Sequence, residues 1–222
     1  KTALFEFCTG NFQILKGNIN AVNGDQEDVE QSNKFDNFEF INVGETKSSV
    51  ETLFISIEES DFNEKEELFV MPCDAAIDLN WNKFSKERQE MNDCSAVVFS
   101  FSGYPYARWM PDQYGWLDVN EDNSVKSVGL KKGWNAEFSN PIVTGFFWFP
   151  EIGKLKANLK EFLGKTRERD REASIDEFCS YLVEQNYKIH SYIVDDFLSL
   201  GIPEEFKGYE YWLNANEIAK LR

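Results

Sequence analysis

One segment limits the possible folds more than any other, the apolar run LFVMP at positions 68–72, which is followed directly by Cys73 and Asp74. A short continuous apolar run that ends at a breaker is typical of a buried strand. Open α/β sheets bind ligands outside the carboxyl ends of their strands, and a metal-binding aspartate would be placed where Asp74 stands. The alternative is that Asp74 caps a turn leading into the next element.

Apolar patterning along the rest of the chain alternates between strand and helix spacing. Stretches rich in apolar residues predict strands at 38–43, 68–72, 96–101, 116–119, 125–130, 142–149 and 189–194. Apolar residues at helical spacing predict helices at 48–58, 80–90, 151–163 and 175–183, with a last helix after the turn at Gly201. The first five elements read β-α-β-α-β, so we expect an α/β fold.

Length and composition indicate a folded globular protein. The 222 residues fit one α/β domain, which at this size buries roughly 70% of the surface that the unfolded chain exposes. With 20 Phe, 8 Tyr and 6 Trp the chain has ample core material, so its acidity does not indicate disorder. No apolar stretch approaches the ~20 residues of a membrane-spanning helix, and Lys1 opens neither a signal peptide nor a start methionine. We therefore expect a cytoplasmic chain, trimmed at its N-terminus.

The acidic charge is large and uneven. The chain has 23 Lys and Arg against 39 Asp and Glu, a net charge of −16, which argues against nucleic-acid and anionic-membrane partners. Residues 1–80 hold 5 Lys and 17 acidic residues, so −12 of the net charge lies there and −4 in the remaining 142 residues. A nucleoside triphosphate approaching such a surface would need a divalent cation, backbone N–H donors or a cationic loop.

The cysteines follow no C-x-x-C spacing and lie far apart, at Cys8, Cys73, Cys94 and Cys179. We predict thiols rather than a zinc site or a disulfide framework, and hence a reducing compartment. The single histidine, His190, falls in a predicted strand, and a Ser-His-Asp or Cys-His site would depend on it alone. We predict a structural role for it.

Six motifs follow one another in an order known from one enzyme family. They are TKSSVET at 46–52, the strand ending at Asp74, VGLKK at 128–132, IVTGFFWF at 142–149, Glu172, and VDDFLSLGIPEEF at 194–206. In sequence and spacing they resemble the sugar-phosphate nucleotidyltransferases, and the turn GIPEE leading to YEYW at 209–212 is the most specific match. We expect a single domain over residues 1–222, with 38–213 as the family-like region and 1–37 as an atypical or truncated part.

The resemblance implies a Rossmann-like mixed β-sheet flanked by helices, of the nucleotide-diphospho-sugar transferase type. It implies that a sugar 1-phosphate attacks the α-phosphorus of a nucleoside triphosphate and releases pyrophosphate. Such chemistry depends mainly on positioning and charge neutralisation, and it calls for Mg²⁺, cationic side chains and backbone donors around the phosphates. The expected partners are a nucleoside triphosphate and a sugar phosphate.

The resemblance assigns two residues to catalysis. Asp74 would be a Mg²⁺ ligand, and Lys132 would hold the sugar phosphate. The alternative for Lys132 is a solvated surface lysine, because Lys131 directly precedes it.

Four further positions match substrate contacts of the family. Thr46 and Ser48 lie in the first motif, and Ser48 replaces a glycine that lets the nucleotide base approach, so its bulk would weaken base binding. Gly145 would let the sugar approach the strand backbone, and Glu172 would accept hydrogen bonds from sugar hydroxyls. The alternatives are a bulge or close packing at Gly145 and a solvated carboxylate at Glu172.

Two further departures from the family leave catalysis open. The sequence contains no glycine-rich loop ending in arginine, the family's triphosphate cradle, although residues 1–7 resemble the segment that follows it. The stretch from there to Thr46 is shorter than the family's strand-helix-strand unit. Ser199 stands where many members have a second metal-binding aspartate, and a hydroxyl is a poor replacement for a carboxylate on Mg²⁺.

Three functions therefore stay open. The first is an active nucleotidyltransferase. The second is a catalytically degenerate relative that binds a sugar phosphate or a nucleotide, or that serves as a partner subunit. The third is a glycosyltransferase of related fold, which would place Asp74 and Asp78 on the metal of a nucleotide sugar, although this spacing is looser than the usual Asp-x-Asp.

Overall fold

The structure is a computed structural model, and it describes residues 2–8, 11–16, 38–41, 43, 45–91, 93–129, 140–166 and 172–220. The strands are β1 Thr2–Cys8, β2 Asn11–Lys16, β3 Phe38–Ile41, β4 Glu67–Pro72, β5 Ala75–Asp78, β6 Ala96–Phe101, β7 Trp116–Val119, β8 Val125–Gly129, β9 Ile142–Phe149, β10 Ile189–Ile193 and β11 Asp196–Ser199. The helices are α1 Ser49–Glu58, α2 Trp81–Glu87, α3 Pro105–Trp109, α4 Ile152–Thr166, α5 Ile175–Glu184 and α6 Pro203–Lys220.

The main sheet is mixed and has nine strands within the described residues. Seven of them lie in the order β10-β6-β9-β4-β1-β2-β3, and the β7–β8 hairpin joins the sheet where Trp116 pairs with Ile142. The pairs β10–β6 and β4–β1 are parallel, whereas β9 runs antiparallel between β6 and β4. β5 and β11 form a separate antiparallel sheet. This is a Rossmann-like α/β fold with a mixed sheet flanked by helices, as predicted.

The apolar run at 68–72 forms an internal strand, as predicted. β4 pairs with β1 on one side and with β9 on the other, and Leu68, Phe69 and Val70 are buried. Burial of both faces explains why the run is continuously apolar rather than alternating. Asp74 follows the end of the strand by two residues. It therefore stands at the edge of the sheet where the parallel strands β1 and β4 have their carboxyl ends.

The sequence patterns miss the N-terminal hairpin and the small second sheet. β1 pairs antiparallel with β2, from Ala3 with Lys16 to Cys8 with Asn11, and β2 then pairs antiparallel with β3. Antiparallel neighbours need no crossover helix, so β1 and β2 can follow each other closely along the chain. β5 and β11 have four residues each, too few for an apolar pattern to reveal them.

Two hydrophobic clusters cover the two faces of the main sheet. β6 shows the division, since Ala96 and Val98 belong to one cluster and Val97 and Phe99 to the other. Successive side chains of a strand point to opposite faces. The first cluster is mainly aliphatic and packs under α1, α4 and α5, whereas the second is mainly aromatic and packs under α2 and the segment 104–116.

The cysteines agree with the prediction of thiols as far as they are described. Cys73, Cys94 and Cys179 form no disulfide. Burial raises the pKa of Cys94 to about 11, so this thiol is protonated at neutral pH. Of the helices within the described residues, none is long and apolar enough to cross a membrane.

Candidate functional site

A cleft opens at the sheet edge where β1 and β4 have their carboxyl ends. Its volume is about 300 Å³, at the lower end of the roughly 300–1,000 Å³ of small-molecule sites. The polar side chains of its wall are Asp74, Gln113, Tyr114, Thr144, Asp176, Ser199 and Glu205. Open α/β sheets bind ligands at this edge, so the cleft lies where the sequence places the site.

Asp74 lies in the turn between β4 and β5, and its side chain is exposed in the wall of the cleft. The turn is tied to β11, because the backbone N–H of Leu200 donates to the carbonyl oxygen of Asp74 at 2.8 Å. Gly201 leaves room for the carboxylate, since a Cβ there would lie 2.8 Å from Oδ2 of Asp74. Among the described residues, no backbone N–H donates to this carboxylate, so the turn-cap alternative lacks the hydrogen bond that it requires.

The pairing of β11 with β5 in the small second sheet places Ser199 beside Asp74. Ser199 pairs with Ala75, the residue that follows Asp74, and its Oγ is 3.8 Å from the position of a Cβ at Gly201. Ser199 also lines the cleft. The residue that the resemblance aligns with a second metal-binding aspartate is therefore next to Asp74 and carries a hydroxyl.

Gly145 lies in an irregular part of β9. The register between β6 and β9 shifts from Val98 opposite Phe147 to Ser100 opposite Val143, which leaves extra residues in β9. Gly145 has a φ of 86°, in the left-handed region that favours glycine, and a Cβ there would lie 3.1 Å from Cγ of Pro72. The bulge and the close packing are both present, and Gly145 also lines the cleft. Approach of a sugar to its backbone stays a prediction.

Glu205 forms the most connected part of the cleft wall. Its side chain is only 3% exposed, and Oε1 accepts hydrogen bonds from the hydroxyls of Tyr104 at 2.8 Å and Tyr114 at 2.5 Å. Oε2 accepts from the hydroxyl of Ser199 at 2.6 Å. Burial, and next the hydrogen bonds to Glu205, raise the pKa of Tyr104 and of Tyr114 well above the usual range. Both tyrosines are therefore protonated donors throughout the physiological range.

Asp176 brings a further carboxylate into the cleft. It lies in the first turn of α5, whose N-cap Ser174 accepts from the backbone N–H of Glu177 at 3.3 Å. Gly115 lies directly beside it, since a Cβ at Gly115 would be 2.7 Å from Oδ2 of Asp176. A side chain at Gly115 would therefore displace this carboxylate. The first turn of a helix is a favourable place for a carboxylate, because the helix dipole is positive at that end.

The wall of the cleft is acidic. It contains the carboxylates of Asp74, Asp176 and Glu205, and no Lys or Arg lines it within the described residues. Among all the residues that the structure describes, no group of three or more His, Cys, Asp or Glu side chains converges in a way that could hold a metal ion. The described wall favours ligand groups that donate hydrogen bonds or carry positive charge.

Thr46 and Ser48, the two substrate contacts predicted in the motif at 46–52, lie together at the start of α1. Neither residue lines this cleft. Ser48 is the N-cap of α1 and accepts from the backbone N–H of Glu51 at 3.1 Å, while Thr46 Oγ1 is 2.5 Å from Oγ1 of Thr52. These hydroxyls bond within the start of α1. Their predicted role in substrate binding stays a prediction.

Glu172 is exposed and lies close to the start of α1. The next residue, Ala173, accepts a hydrogen bond from Oγ of Ser49 at 3.3 Å. Glu172 does not line the cleft, so its contact with sugar hydroxyls stays a prediction. Lys132 falls between residues 130 and 139, outside the described residues, and its role stays a prediction as well.

Sequence reasoning missed the two most informative wall residues, Glu205 and Asp176. A signal existed for both, because each carboxylate lies in the first turn of a helix that starts next to the carboxyl edge of the sheet. No sequence signal pairs Glu205 with Tyr104 and Tyr114, since those partners are 101 and 91 residues away.

The fold is shared with solved structures of low sequence identity. The nucleoside-diphosphate-sugar pyrophosphorylase from Vibrio cholerae RC9 superposes with a TM-score of 0.56 at 16% identity, over 74% of this chain and 65% of the pyrophosphorylase. The inositol-1-phosphate CTP transferase from T. maritima superposes with a TM-score of 0.52 at 13% identity, over 72% of this chain and 58% of the transferase. The matched part thus spans less than two thirds of either protein.

The sequence matches no protein-family model and no curated protein. Similarity at 13–16% identity shows the fold alone, because one fold can carry many activities. The chain therefore has the fold of these nucleotidyltransferases, with an acidic cleft at the carboxyl edge of its sheet.

Proposed function

We propose that the chain is a nucleotidyltransferase that joins a nucleoside triphosphate to a sugar 1-phosphate, or to a similar polyol phosphate, with release of pyrophosphate. The observation that carries the proposal is the position of Asp74, just beyond the carboxyl end of β4 and in the wall of the cleft. The shared fold adds support, since one structural neighbour is a nucleoside-diphosphate-sugar pyrophosphorylase and another is an inositol-1-phosphate CTP transferase.

In the proposed reaction an oxygen of the acceptor phosphate attacks the α-phosphorus of the triphosphate. A new P–O bond forms, the bond from the α-phosphorus to the bridging oxygen breaks, and pyrophosphate leaves with the bonding electrons. Phosphate monoesters are largely dianionic at neutral pH, because their second pKa is about 6, so the step needs no general base. The task of the protein is then to bind and align the two substrates.

The described wall suits the hydroxyl groups of the acceptor. The Asp176 carboxylate can accept hydrogen bonds from a sugar or polyol. The Thr144 hydroxyl donates its own proton to the carbonyl oxygen of Phe99 at 2.8 Å, which leaves its oxygen as an acceptor. A phosphate group placed directly against these carboxylates would be repelled. We therefore orient the acceptor with its hydroxyls toward Asp176 and Thr144 and its phosphate away from them.

Asp74 would hold Mg²⁺ in this proposal. Mg²⁺ is commonly bound by one or two carboxylates, while waters and substrate phosphates complete its six ligands. One exposed carboxylate, as at Asp74, fits an ion that arrives with the triphosphate. The ion would neutralise charge on the phosphates. Lys132 would hold the acceptor phosphate.

A binding role without catalysis is the second candidate. It is favoured by the hydroxyl of Ser199, where many family members have an aspartate, and by the absence of a cationic side chain from the described wall of the cleft. The glycosyltransferase alternative requires Asp74 and Asp78 to hold the same metal ion. Asp78 is at the far end of β5, roughly 13 Å from Asp74 at about 3.3 Å per residue. Asp78 does not line the cleft.

The experiment measures pyrophosphate release from a panel of nucleoside triphosphates and sugar 1-phosphates, with and without Mg²⁺. Asp74→Asn keeps the shape of the side chain and removes its charge. We expect it to lower Mg²⁺-dependent release at least about 100-fold, while the free energy of unfolding stays within about 1 kcal/mol of the wild type, the size of a cap effect. The matched control is Asp78→Asn, an aspartate that is also exposed and that ends the adjoining strand β5, which should leave release unchanged.

Two results would contradict the proposal. The first is unchanged Mg²⁺-dependent release in a folded Asp74→Asn protein. The second is a wild-type protein that is stabilised by sugar phosphates but releases no pyrophosphate with any pair of substrates, which would favour the binding role. Thermal shift detects such binding, because a ligand at 100 times its Kd stabilises a protein by about 2.7 kcal/mol.

A further inference from the structure

The buried carboxylate of Glu205 has no cationic partner in the contacts described for it. Burying a carboxylate is costly unless hydrogen bonds replace its water. Three hydroxyls supply those bonds, from Tyr104 before α3, Tyr114 before β7 and Ser199 at the end of β11. One side chain of α6 thus joins three distant segments at the wall of the cleft.

The protons of these hydrogen bonds have a defined direction. A carboxylate only accepts hydrogen bonds, so each of the three hydroxyls must point its proton at Glu205. The hydroxyl of Ser199 is then an acceptor toward every other neighbour. The backbone N–H of Gly201 donates to it over a long 3.4 Å, which leaves acceptor capacity on the cleft side.

We propose that Glu205 is a positioning residue, which fixes the Ser199 hydroxyl as a hydrogen-bond acceptor in the cleft and holds Tyr114 in the cleft wall. Beside Asp74, the cleft then selects ligand atoms that donate hydrogen bonds, namely the hydroxyl groups of the acceptor. The inference rests on the proposed function in one respect, that the acceptor is a sugar or polyol phosphate.

Glu205→Gln separates this role from simple packing. The glutamine amide has one accepting oxygen and one donating nitrogen, in nearly the same shape as the carboxylate. Its oxygen can still accept from both tyrosines, so its nitrogen turns toward Ser199. The Ser199 oxygen then accepts from the amide, and its own proton turns into the cleft. The substitution therefore changes Ser199 from an acceptor into a donor without removing side-chain volume.

The test measures the Kd of glucose 1-phosphate and of inositol 1-phosphate by calorimetry. We expect Glu205→Gln to raise the Kd of the ligand that binds the wild type by about tenfold or more, because an accepting group is lost against a ligand donor. The matched control is Glu204→Gln, an exposed glutamate of the same helical turn with the same change of charge. It should leave the Kd unchanged. Tyr104→Phe, whose side chain does not line the cleft, should change it less than threefold.

Variants of Ser199 show whether the Kd depends on the accepting oxygen of this residue or only on packing. Ser199→Thr keeps the accepting oxygen and should retain binding, whereas Ser199→Ala should raise the Kd by about tenfold. In the Glu205→Gln background, Ser199→Ala should have no such effect, because the two changes act on the same hydrogen bond. The Ser199 pair also decides the question if Glu205→Gln does not fold.

The outcomes separate this inference from the proposed function. An unchanged Kd in folded Glu205→Gln overturns the inference, and so does equal binding by Ser199→Ala and Ser199→Thr. It is also overturned if neither phosphate binds the wild type. If binding responds as expected but the wild type releases no pyrophosphate, the inference stands and the proposed catalysis falls. If pyrophosphate release depends on Asp74 while Glu205→Gln binds normally, the proposed function stands and the inference falls.

Discussion

The hydroxyls that cap the start of α1 and the tyrosine hydroxyls that bind at the junction of β11 with α6 both form hydrogen bonds, but their partners lie at different distances along the chain. At the start of α1, Ser48 and Thr52 bond within four residues. At the junction, Tyr104 and Tyr114 reach Glu205 across 101 and 91 residues. Local bonds define where a helix begins, whereas remote bonds assemble a wall of the cleft. A motif of hydroxyl residues is therefore a weak guide to a binding site until the partners of its members are known.

The largest effect should come from Glu205→Ala, which removes the acceptor shared by the hydroxyls of Tyr104, Tyr114 and Ser199. Three hydroxyls lose a charged acceptor, so we expect the free energy of unfolding to fall by about 3 kcal/mol in urea denaturation, after allowance for the relieved burial of charge. Glu204→Ala, on the exposed side of the same turn, should cost less than about 0.5 kcal/mol. A loss below about 1 kcal/mol for Glu205→Ala would mean that the remote bonds contribute little.

Two glycines sharpen the same contrast. Both Gly145 and Gly103 have positive φ, at 86° and 75°, but a Cβ at Gly145 would lie 3.1 Å from Cγ of the distant Pro72, whereas nothing lies within 4 Å of one at Gly103. Left-handed backbone costs a non-glycine residue about 1–2 kcal/mol. We expect Gly103→Ala to show about that loss in thermal or urea unfolding and Gly145→Ala to lose about 1 kcal/mol more. Equal losses would show that Pro72 moves aside freely.

Ser48→Ala tests the local group. The loss of a helix N-cap should lower the free energy of unfolding by about 1 kcal/mol, and Ser48→Asp should retain most of it because aspartate also caps. Nucleotide binding, measured by calorimetry, should be the same in both variants. A change of more than tenfold in nucleotide binding in either variant would break the comparison, since the start of α1 would then contact the nucleotide, as the family resemblance implies.

The smallest effect concerns alkaline pH. Burial first, and then the bonds to Glu205, raise the pKa of Tyr104 and Tyr114 above the ordinary value of about 10. A pKa raised by folding gives stability that is complete below the unfolded-state pKa and is lost as pH rises toward the folded-state pKa. The free energy of unfolding should therefore fall above about pH 10. In Tyr104→Phe it should fall less steeply, and the slopes of the two proteins should differ by less than about 1.4 kcal/mol per pH unit. Tyr187→Phe, at an exposed tyrosine, is the control, and equal slopes in all three proteins would contradict the expectation.

Much of the fold could be predicted because its central strands are buried on both faces. Continuous apolar runs therefore mark β4, β6 and β9, and Asp74 follows from its place after β4, whereas Gly145 was assigned only through the family resemblance. Glu205 and Asp176 could not be assigned in this way, since burial and partners decide their role and both come from distant segments. The hairpin of β1 and β2 was missed for a related reason. Its register depends on pairing between strands, which apolar spacing does not encode.

The position of β9 has a consequence for how this chain can be compared with others. The paired residues of β4 and β9 run from Leu68 with Phe149 to Val70 with Phe147. Thr144 and Gly145 therefore lie past the part of β9 that pairs with β4, where its register with β6 shifts, and they line the cleft. A ligand lying there would meet peptide groups, which every amino acid supplies equally. This geometry depends on Gly145, because its φ is positive and a Cβ there would press on Pro72. The shape that the backbone offers to a ligand is therefore set by the identity of one residue.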